Sequence, residues 1–447
     1  MISTRSAART RGATSVLALT ALAACSPDAV TPTEAPSTNT VSAELLASTT
    51  PSGSVLQLVS RNTAGAATNA GSTTCALSAD GSLVLFASDA SNLVTGDTNG
   101  ATDLFLRDLT TGVTTRVTTG TGGSQLRRGG RCVGGSMSPD GRFVAFNSTD
   151  NGGTVFVKDT HTGALTKASP DSGTVAQVTG FFGGALSDDG QKVVFRTQPA
   201  LLYAGAYRWT NVIPARLMVR DLATGTLTTL PTDNGNVVDG EVIGVQFGIS
   251  PDGERVTFVS SSSSLVAGDT NGRADVFVRD LATGATTIAS SASSGAPTTG
   301  GGIFWRLSFV SNTQVAFLTG SASSLGDPGY YLKDIASGAL QLVLHDSDGG
   351  STAMLSGDAR TVVFSRVYSG FNTRIIARDR LTGAETLVSA SASGTPSNGN
   401  STGGIIARNG SRVAFGSSAS NLITPRPPSG VFQIYARALG AGAVGGQ

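Results

Sequence analysis

The chain has 447 residues, a formal net charge of +1 and only 14% charged residues. A balance this neutral provides no global field to hold nucleic acid or an anionic membrane surface, so nucleic-acid binding is not expected. The 58 glycines and the aromatic content of 6% are typical of many short strands joined by tight turns.

The first 24 residues have the layout of a secretory signal. Three arginines precede an apolar run over 13–24, which is the charged-then-apolar order of exported proteins. The run is too short to remain as a membrane-spanning helix. It ends in Leu-Ala-Ala-Cys25, which resembles the lipobox of bacterial lipoproteins and implies cleavage before Cys25 and a lipid on that cysteine. An ordinary signal peptide with a coincidental cysteine is the alternative, and it also predicts export.

The residues after the signal predict an anchor, a linker and a folded part. Ser26 stands where an aspartate would resemble an inner-membrane retention signal, so we expect the outer membrane, with the folded part on its periplasmic or surface side. Residues 26–53 are rich in Pro, Thr, Ser and Ala without apolar periodicity, which is typical of a flexible linker. We divide the chain into a signal peptide over 1–24, the lipidated Cys25 and linker over 25–53, a folded part over 54–439 and a flexible tail over 440–447.

The folded part consists of seven copies of one unit, and such repetition predicts a repeat architecture. The clearest copy reads SPDGERVTFVS from Ser250 and VFVRDLATG from Val276. Each copy has the alternating apolar positions of half-buried strands, with no competing helical period. The copies align on a central phenylalanine, at Phe86, Phe146, Phe195, Phe258, Phe317, Phe364 and Phe415.

Tight turns separate the strands within each unit. Asp-Gly or Asn-Gly precedes the second strand and Thr-Gly follows the third, and these pairs supply the positive φ of a tight hairpin. In the fifth copy we expect Asn312 to take the left-handed position that glycine takes elsewhere. A left-handed conformation is sterically unfavourable for Ala359 of the sixth copy, so we expect a different turn there.

The last copy lacks a fourth strand, because nothing after Leu439 repeats that part of the unit. The segment 54–60 looks like a spare fourth strand in front of the first copy, and it can close the ring against residues 401–437. Closure removes exposed sheet edges. The sequence therefore predicts an all-β, seven-bladed β-propeller of four-stranded antiparallel blades, closed by its N-terminal strand.

The SPDG, V-x-F, VFVRD and LATG pattern resembles the TolB-like, WD-repeat-related propeller family, over about 390 residues. The resemblance implies the fold but not the task, because propellers of this family serve as protein-binding modules and as non-catalytic caps of certain peptidases. The chain lacks the extra N-terminal domain of TolB and any hydrolase domain, so neither role carries over.

A four-stranded meander places its first-to-second and third-to-fourth turns on one face of the disc, here called the tight-turn face. The longer connections emerge on the opposite long-loop face, where we expect a partner to bind. Arginine beside tyrosine and tryptophan is typical of interfaces, although solvated arginines and aromatics folded onto a blade are the alternative. The residues expected to form the partner face are Arg127, Arg128, Arg131, Tyr203, Tyr207, Trp209 and Trp305.

Two loops carry the same phrase, GDTNGATD over 96–103 and GDTNGRAD over 268–275. Their closely spaced carboxylate and amide oxygens suit calcium, but the glycine comes too early for an EF-hand and no terminal glutamate follows. An Asn-Gly turn with capping aspartates is the alternative. We expect no required cofactor, and the calcium ligands, if this ion binds, would be Asp97, Asn99, Asp103, Asp269, Asn271 and Asp275.

Cys75 and Cys132 remain once Cys25 carries the lipid. Two cysteines are an even number, so they can pair with each other, and disulfides persist in the compartment to which export leads. A Cys75–Cys132 disulfide and two buried free thiols are both open at this point.

The residues do not predict an active site. The two histidines, His161 and His345, lie in turn or loop contexts, which is poor placement for an acid, base or triad. Residues 399–403 match GxSxG, but no helix follows to form a nucleophile elbow. The regular aspartates are explained by turn capping.

We therefore expect a monomeric, non-catalytic, lipid-anchored scaffold in the cell envelope. Its partner would be an envelope protein or a glycan, and it would touch the membrane only through its lipid. The alternatives are a propeller hydrolase or lyase acting on envelope or extracellular polysaccharide, and a calcium-stabilised structural surface protein.

Overall fold

The computed structural model describes most of the part expected to fold. The described residues are 55–148, 153–171, 178–199, 216–230, 247–260, 262–270, 274–293, 305–320, 325–368, 372–428 and 430–440. Within them, no helix is long and apolar enough to cross a membrane.

The strands over this part form seven four-stranded antiparallel sheets, each hydrogen-bonded in chain order except the last. Each sheet is one blade, and the first four blades are built from consecutive strands. Blade 1 contains β2 (Ser72–Leu77), β3 (Leu83–Ser88), β4 (Asp103–Asp108) and β5 (Thr114–Arg116). Blade 2 contains β6 (Arg131–Met137), β7 (Phe143–Ser148), β8 (Thr154–Asp159) and β9 (Leu165–Lys167). Blade 3 contains β10 (Val178–Leu186), β11 (Lys192–Pro199), β12 (Leu217–Asp221) and β13 (Leu227–Thr229). Blade 4 contains β14 (Phe247–Ile249), β15 (Arg255–Ser260), β16 (Asp275–Asp280) and β17 (Thr286–Ile288).

The remaining blades follow the same plan until the last one. Blade 5 contains β18 (Trp305–Phe309), β19 (Gln314–Thr319), β20 (Gly329–Asp334) and β21 (Leu340–His345). Two 3-10 turns follow it, Asp346–Asp348 and Gly350–Thr352. Blade 6 contains β22 (Met354–Leu355), β23 (Thr361–Val367), β24 (Thr373–Asp379) and β25 (Glu385–Leu387). Blade 7 contains β26 (Ser401–Ile406), β27 (Arg412–Ser417) and β28 (Gln433–Ala438), and its fourth strand is β1 (Leu56–Leu58).

The N-terminal strand closes the ring, which confirms the expected architecture. Leu56 and Leu58 of β1 pair with Arg437 and Tyr435 of β28. The Ser60 hydroxyl donates to the Gln433 side-chain oxygen at 2.7 Å. The Asn409 N–H of blade 7 donates to the Ala79 carbonyl of blade 1 at 3.0 Å, so the first and last blades also meet near the axis.

The central phenylalanines of the seven copies are all buried, with at most 1% of their surface exposed. In four blades the ring stacks on an aromatic of the third strand, as Phe86 does on Phe105 with ring centres 5.7 Å apart. Fully burying one such side chain stabilises the fold by about 1.5–3 kcal/mol. The core therefore lies within and between the blades, at the positions that the alternating pattern predicts.

In blades 1, 2, 3, 4 and 6, the turn before the second strand is held by its own serine and aspartate. In blade 1 the Ser78 hydroxyl donates to Asp80 at 2.6 Å, and the Ser82 N–H donates to the same carboxylate oxygen at 2.9 Å. This local capping explains why the S-x-D-G phrase recurs.

Two expectations about these turns were wrong. Ala359 keeps the common turn, because its N–H donates to the Ser356 carbonyl at 2.8 Å while its backbone adopts a left-handed φ of 56°. Asn312 is not left-handed. The blade 5 turn is shorter than the others, since the Val310 N–H donates to the Gln314 carbonyl at 2.8 Å and no residue with positive φ is needed.

The first-to-second and third-to-fourth turns of each blade lie together on the tight-turn face. In blade 1 the Leu109 N–H donates to the Ser82 carbonyl at 2.9 Å, and equivalent bonds join the two turns of the other blades. In blade 7, where β1 supplies the fourth strand, the Leu439 N–H makes this bond to Ser411 at 2.7 Å.

Cations from the third strands reach across to the preceding blade. The Lys333 ammonium donates to the carbonyls of Ser291 at 3.0 Å and Ala292 at 3.2 Å, and to Gly338 of its own blade at 2.9 Å. Burial lowers the pKa of Lys333. These carbonyl contacts replace the water that the ammonium loses, as a buried charge requires.

Candidate functional site

The first strands of neighbouring blades contact one another, so they surround a central channel. At the tight-turn face, the second residue of each S-x-D-G turn lines the mouth of this channel. Backbone hydrogen bonds between blades hold these residues in place. The Ala79 N–H donates to the Pro139 carbonyl at 2.7 Å, and the Gly357 N–H donates to the Arg408 carbonyl at 2.7 Å. The residues at this turn position are Ala79, Pro139, Asp188, Pro251, Ser311, Gly357 and Arg408.

An ion pair bridges this mouth. The Arg408 guanidinium of blade 7 donates to the Asp188 carboxylate of blade 3. The two side chains come from blades that are not neighbours, and both line the same part of the channel. The described mouth therefore carries one charged pair in a ring of otherwise small, uncharged residues.

Two connected features lie at this end of the channel. A cavity of about 600 Å³ is lined by turn residues of blades 1, 4, 5, 6 and 7, including Asn312 and Asn409. A second cavity of about 290 Å³ extends along the channel wall. Most of the residues that line it are apolar, Leu77, Phe309 and Ile405 among them, and Asp188 and Arg408 also belong to its lining.

Arg306 occupies a strained position on the innermost strand of blade 5. It adopts a φ of 53° where β18 breaks register with β19, whereas Gly183 and Gly403 stand at the corresponding breaks in blades 3 and 7. A left-handed conformation costs a residue with a side chain about 1–2 kcal/mol. The side chain reaches solvent, yet burial still lowers the pKa of Arg306. Strain of this kind is often retained where a side chain has a task.

On the long-loop face, the structure joins two predicted site elements into one unit. The Gln125 side-chain amide donates to Asp97 at 2.9 Å, and the Asn99 amide donates to the Leu126 carbonyl at 2.9 Å. The Gly130 N–H donates to the Thr102 carbonyl at 3.0 Å. The loop over 97–103 therefore supports the connection over 125–130.

This unit presents Arg127 and Arg128, which are both exposed. Arg131 lies at the start of β6 and Trp305 at the start of β18, but their side chains lie outside the described part. Tyr203, Tyr207 and Trp209 also lie outside the described residues. The partner face thus stays a prediction, of which the structure positions the two arginines.

The polar side chains of the first DTNG loop bond to the protein itself. The Asn99 amide donates to Asp103 at 2.9 Å, and the Thr118 hydroxyl donates to the other Asp103 oxygen. Arg116 lies 3.6 Å from the Asp97 carboxylate. Burial and the nearby Asp103 charge raise the pKa of Asp97.

The second DTNG loop is described only in part. Asp269 is buried, and the Ser290 hydroxyl donates to the buried Asp275 at 2.6 Å, whereas Asn271 lies outside the described residues. No group of three or more His, Cys, Asp or Glu side chains that could hold a metal occurs within the described ranges. In the first loop the amide nitrogen of Asn99, not its oxygen, faces Asp103, so a calcium ion there would require rearrangement. Calcium binding stays a prediction.

Cys75 forms a disulfide bond in the structure and lines the channel wall. It lies at the register break of β2, and β2 contacts β6, the strand that carries Cys132. The Cys132 side chain lies outside the described part.

The histidines and the repeated aspartates occupy structural positions. His161 is exposed in a tight turn, and the exposed His345 lies 3.8 Å from Asp327. The Asp159 carboxylate accepts from the N–H groups of His161 and Thr162 at 2.9 and 3.1 Å. Burial raises the pKa of Asp159, but these bonds and the Arg142 side chain outweigh it and lower the pKa to about 2.

Sequence reasoning missed Asp188 and Arg408. Both occupy the second position of the S-x-D-G turn, where the other copies have small or uncharged residues. Comparing the copies at that one position would have singled them out. Their pairing would still have required the ring geometry.

No family model and no curated protein sequence matches this chain. Solved structures do match. An oligogalacturonate lyase in complex with manganese has a TM-score of 0.56 at 14% identity, covering 87% of this chain and 98% of its own. The β-propeller domain of the trilobed protease from Pyrococcus furiosus has a TM-score of 0.50 at 11% identity, covering 82% and 93%. TolB from Acinetobacter baumannii also matches, at 15% identity over 75% of this chain and 76% of its own, but its TM-score of 0.39 adds no argument. At these identities the likeness shows the β-propeller fold alone.

Proposed function

We propose that this chain is an exported lipoprotein whose propeller binds a protein or glycan partner of the bacterial cell envelope on its long-loop face. The observation that carries the proposal is the unit formed by the 97–103 loop and the 125–130 connection. Its side-chain bonds hold two exposed arginines, Arg127 and Arg128, on a supported surface. A binding group held by surrounding bonds loses less entropy when its partner arrives.

The tight-turn face supports the same assignment. Its repeated aspartates accept hydrogen bonds from their own turns, as Asp80 and Asp159 do, which assigns these carboxylates a structural task. The channel mouth on that face is bridged by Arg408 and Asp188. Both features favour the opposite face for a partner.

Capture from envelope tests the proposal. The full-length chain with a C-terminal affinity tag would be mixed with detergent-solubilised envelope and with purified wall or exopolysaccharide. We expect one specific retained partner, and weaker retention by the Arg127→Gln/Arg128→Gln variant. Lys167→Gln, which removes an exposed charge from an outer strand of blade 2, is the control and should retain the partner.

Two results would contradict the binding proposal. Equal capture by the arginine variant and the wild type would show that these arginines do not bind the partner. Retention of a polysaccharide followed by its shortening would replace the scaffold with a propeller lyase or hydrolase.

The lipid anchor has its own test. Cys25→Ser should prevent acylation and move the chain from the membrane pellet to the soluble envelope fraction. Continued sedimentation of this variant with membranes would contradict the lipoprotein assignment.

A further inference from the structure

Two arginines face each other where the central strands of blade 6 approach the long-loop face. Arg366 of β23 and Arg374 of β24 are direct partners in the antiparallel register. Like charges in this arrangement destabilise a strand pair unless an anion lies between or beside them. The surroundings of the two side chains differ, and the difference points to a site.

The Arg366 charge is already neutralised inside the blade. Its guanidinium donates to both Glu385 oxygens, at 2.7 and 2.8 Å. Arg378 donates to the same carboxylate at 2.8 Å. Burial raises the pKa of Glu385, but the bonds from the two arginines outweigh it and lower the pKa. Glu385 is therefore fully engaged by Arg366 and Arg378.

Arg374 has no such partner. Its guanidinium lies over the Tyr368 ring, 4.6 Å from the ring centre. Its Nε is enclosed by protein and has no hydrogen-bond partner in the described part of the chain. No described acidic side chain lies within ion-pair distance of it, and residues 369–371 between the two strands are Ser, Gly and Phe.

The charged side chains around Arg374 sum to a net positive charge, which an added anion would offset. The local group contains three arginines, Glu385 and, 3.9 Å from Arg378, Asp348. Arg374 is only partly exposed, so water solvates its guanidinium incompletely. A planar guanidinium is best matched by a carboxylate.

We propose that Arg374, with Tyr368 beneath it, binds a carboxylate side chain of an acidic protein partner. An arginine whose guanidinium lies over a tyrosine ring is typical of protein interfaces. This inference rests on the proposed function and specifies the chemistry of its partner.

The experiment measures binding of two defined probes to the full-length chain. Poly-L-glutamate represents an acidic protein segment and polygalacturonate an acidic glycan. Arg374→Gln should weaken poly-L-glutamate binding by about tenfold or more, as loss of a bond to a charged group predicts. Arg374→Lys should restore it only in part, because an ammonium lacks the planar fork. Lys167→Gln removes the same charge far from blade 6 and should bind like the wild type.

A melting temperature for each variant shows whether the fold is retained, and Tyr368→Phe provides a second variant that keeps the ring under the guanidinium. Tyr368→Phe should bind nearly as well as the wild type, whereas Tyr368→Ala should bind more weakly. Equal poly-L-glutamate binding by wild type and Arg374→Gln, or no binding by the wild type, would overturn the inference. Arg374-dependent binding of polygalacturonate alone would overturn it in favour of a glycan.

The same variants separate this inference from the proposed function. If Arg374→Gln captures the envelope partner as well as the wild type does, the carboxylate site is wrong while the scaffold stands. If the wild type binds poly-L-glutamate through Arg374 but captures nothing from envelope, the site stands and the scaffold proposal fails.

Discussion

Arg408 and Asp188 form an ion pair across the mouth of the central channel, joining blade 7 to blade 3. Their side chains keep 35% and 39% of their surface exposed. Solvent therefore screens the pair, and its main effect is to cover the mouth. Cys75 lines the same cavity and is disulfide-bonded. The rate at which a reductant cleaves this disulfide therefore measures access to the channel.

Removing this ion pair should make the channel more accessible while changing the stability of the fold only slightly. We expect Arg408→Ala and Asp188→Ala to show a coupling energy below about 1 kcal/mol in a double-mutant cycle, decreasing with added salt. Both variants should speed reduction of the Cys75 disulfide by a water-soluble phosphine. Arg142→Ala, which breaks another ion pair on the tight-turn face, is the control and should leave the reduction rate unchanged. Unchanged rates in all three variants would show that the pair does not control access.

The left-handed alanine in blade 6 offers a matched stability test. Ala359→Gly should stabilise the protein by up to about 1 kcal/mol, because relief of the strained φ exceeds the entropy that glycine adds to the unfolded chain. Gly410→Ala places an alanine at the same turn position in blade 7, where φ is 73° and the nearest atom lies 3.8 Å from the new methyl. It should destabilise by about 1 kcal/mol. Denaturant unfolding of both variants measures the two effects, and a loss of stability in Ala359→Gly would contradict the strain argument.

Acid should destabilise the propeller through its turn aspartates. The folded-state pKa of Asp159 is about 2, below its ordinary 3.8, and the pKa values of Asp108, Asp221 and Asp334 are also lowered. A group whose pKa is lowered by folding contributes stability above its unfolded pKa and loses it as the pH falls through the folded one. Melting temperatures should therefore drop between about pH 4 and pH 2, and Asp159→Asn should show a smaller drop. A constant melting temperature over that interval would contradict this prediction.

The disulfide at Cys75 should stabilise the ring. Peptide mapping without reduction should recover Cys75 linked to Cys132, since β2 and β6 are in contact. Cys75→Ser should lower the free energy of unfolding by about 2–4 kcal/mol. Added reductant should lower the free energy of unfolding of the wild type by a similar amount. Recovery of Cys75 linked to another partner, or no effect of reductant on stability, would be inconsistent with this pairing.

The N-terminal strand should be essential for closing blade 7. Leu58 is 8% exposed and Val59 fully buried, whereas Val55, just before the strand, is 60% exposed. Leu58→Ala should cost about 2–5 kcal/mol, and Val55→Ala should have little effect. Thermal unfolding compares them, and equal stability of the two variants would mean that β1 does not complete the blade.

Parts of the site could be predicted because they depend on neighbouring residues. The arginines at 127 and 128 were singled out by their loop, and the DTNG phrase by its repetition. That the two elements form one unit could not be predicted, because the Gln125–Asp97 and Leu126–Asn99 bonds depend on how the blade 1 loop meets the connection to blade 2. The Arg366–Glu385–Arg378 group was missed for the same reason, since its members lie on three different strands.

By itself the sequence determined the fold class, the blade count and the closing strand. Alternating apolar residues, turn pairs and the buried phenylalanines act within one blade. Repeating them leaves three strands at the C-terminal end, which pair with one spare strand at the N-terminal end. Only the tertiary structure decided what the ring brings together: Arg408 with Asp188 across the channel, Ala359 in a left-handed turn, and Arg374 without an acidic partner. The ion pair follows from the angle and spacing at which the blades meet, whereas the other two features follow from the backbone of one turn and from strand pairing within blade 6. The sequence pattern of one unit does not encode contacts between residues far apart in the chain.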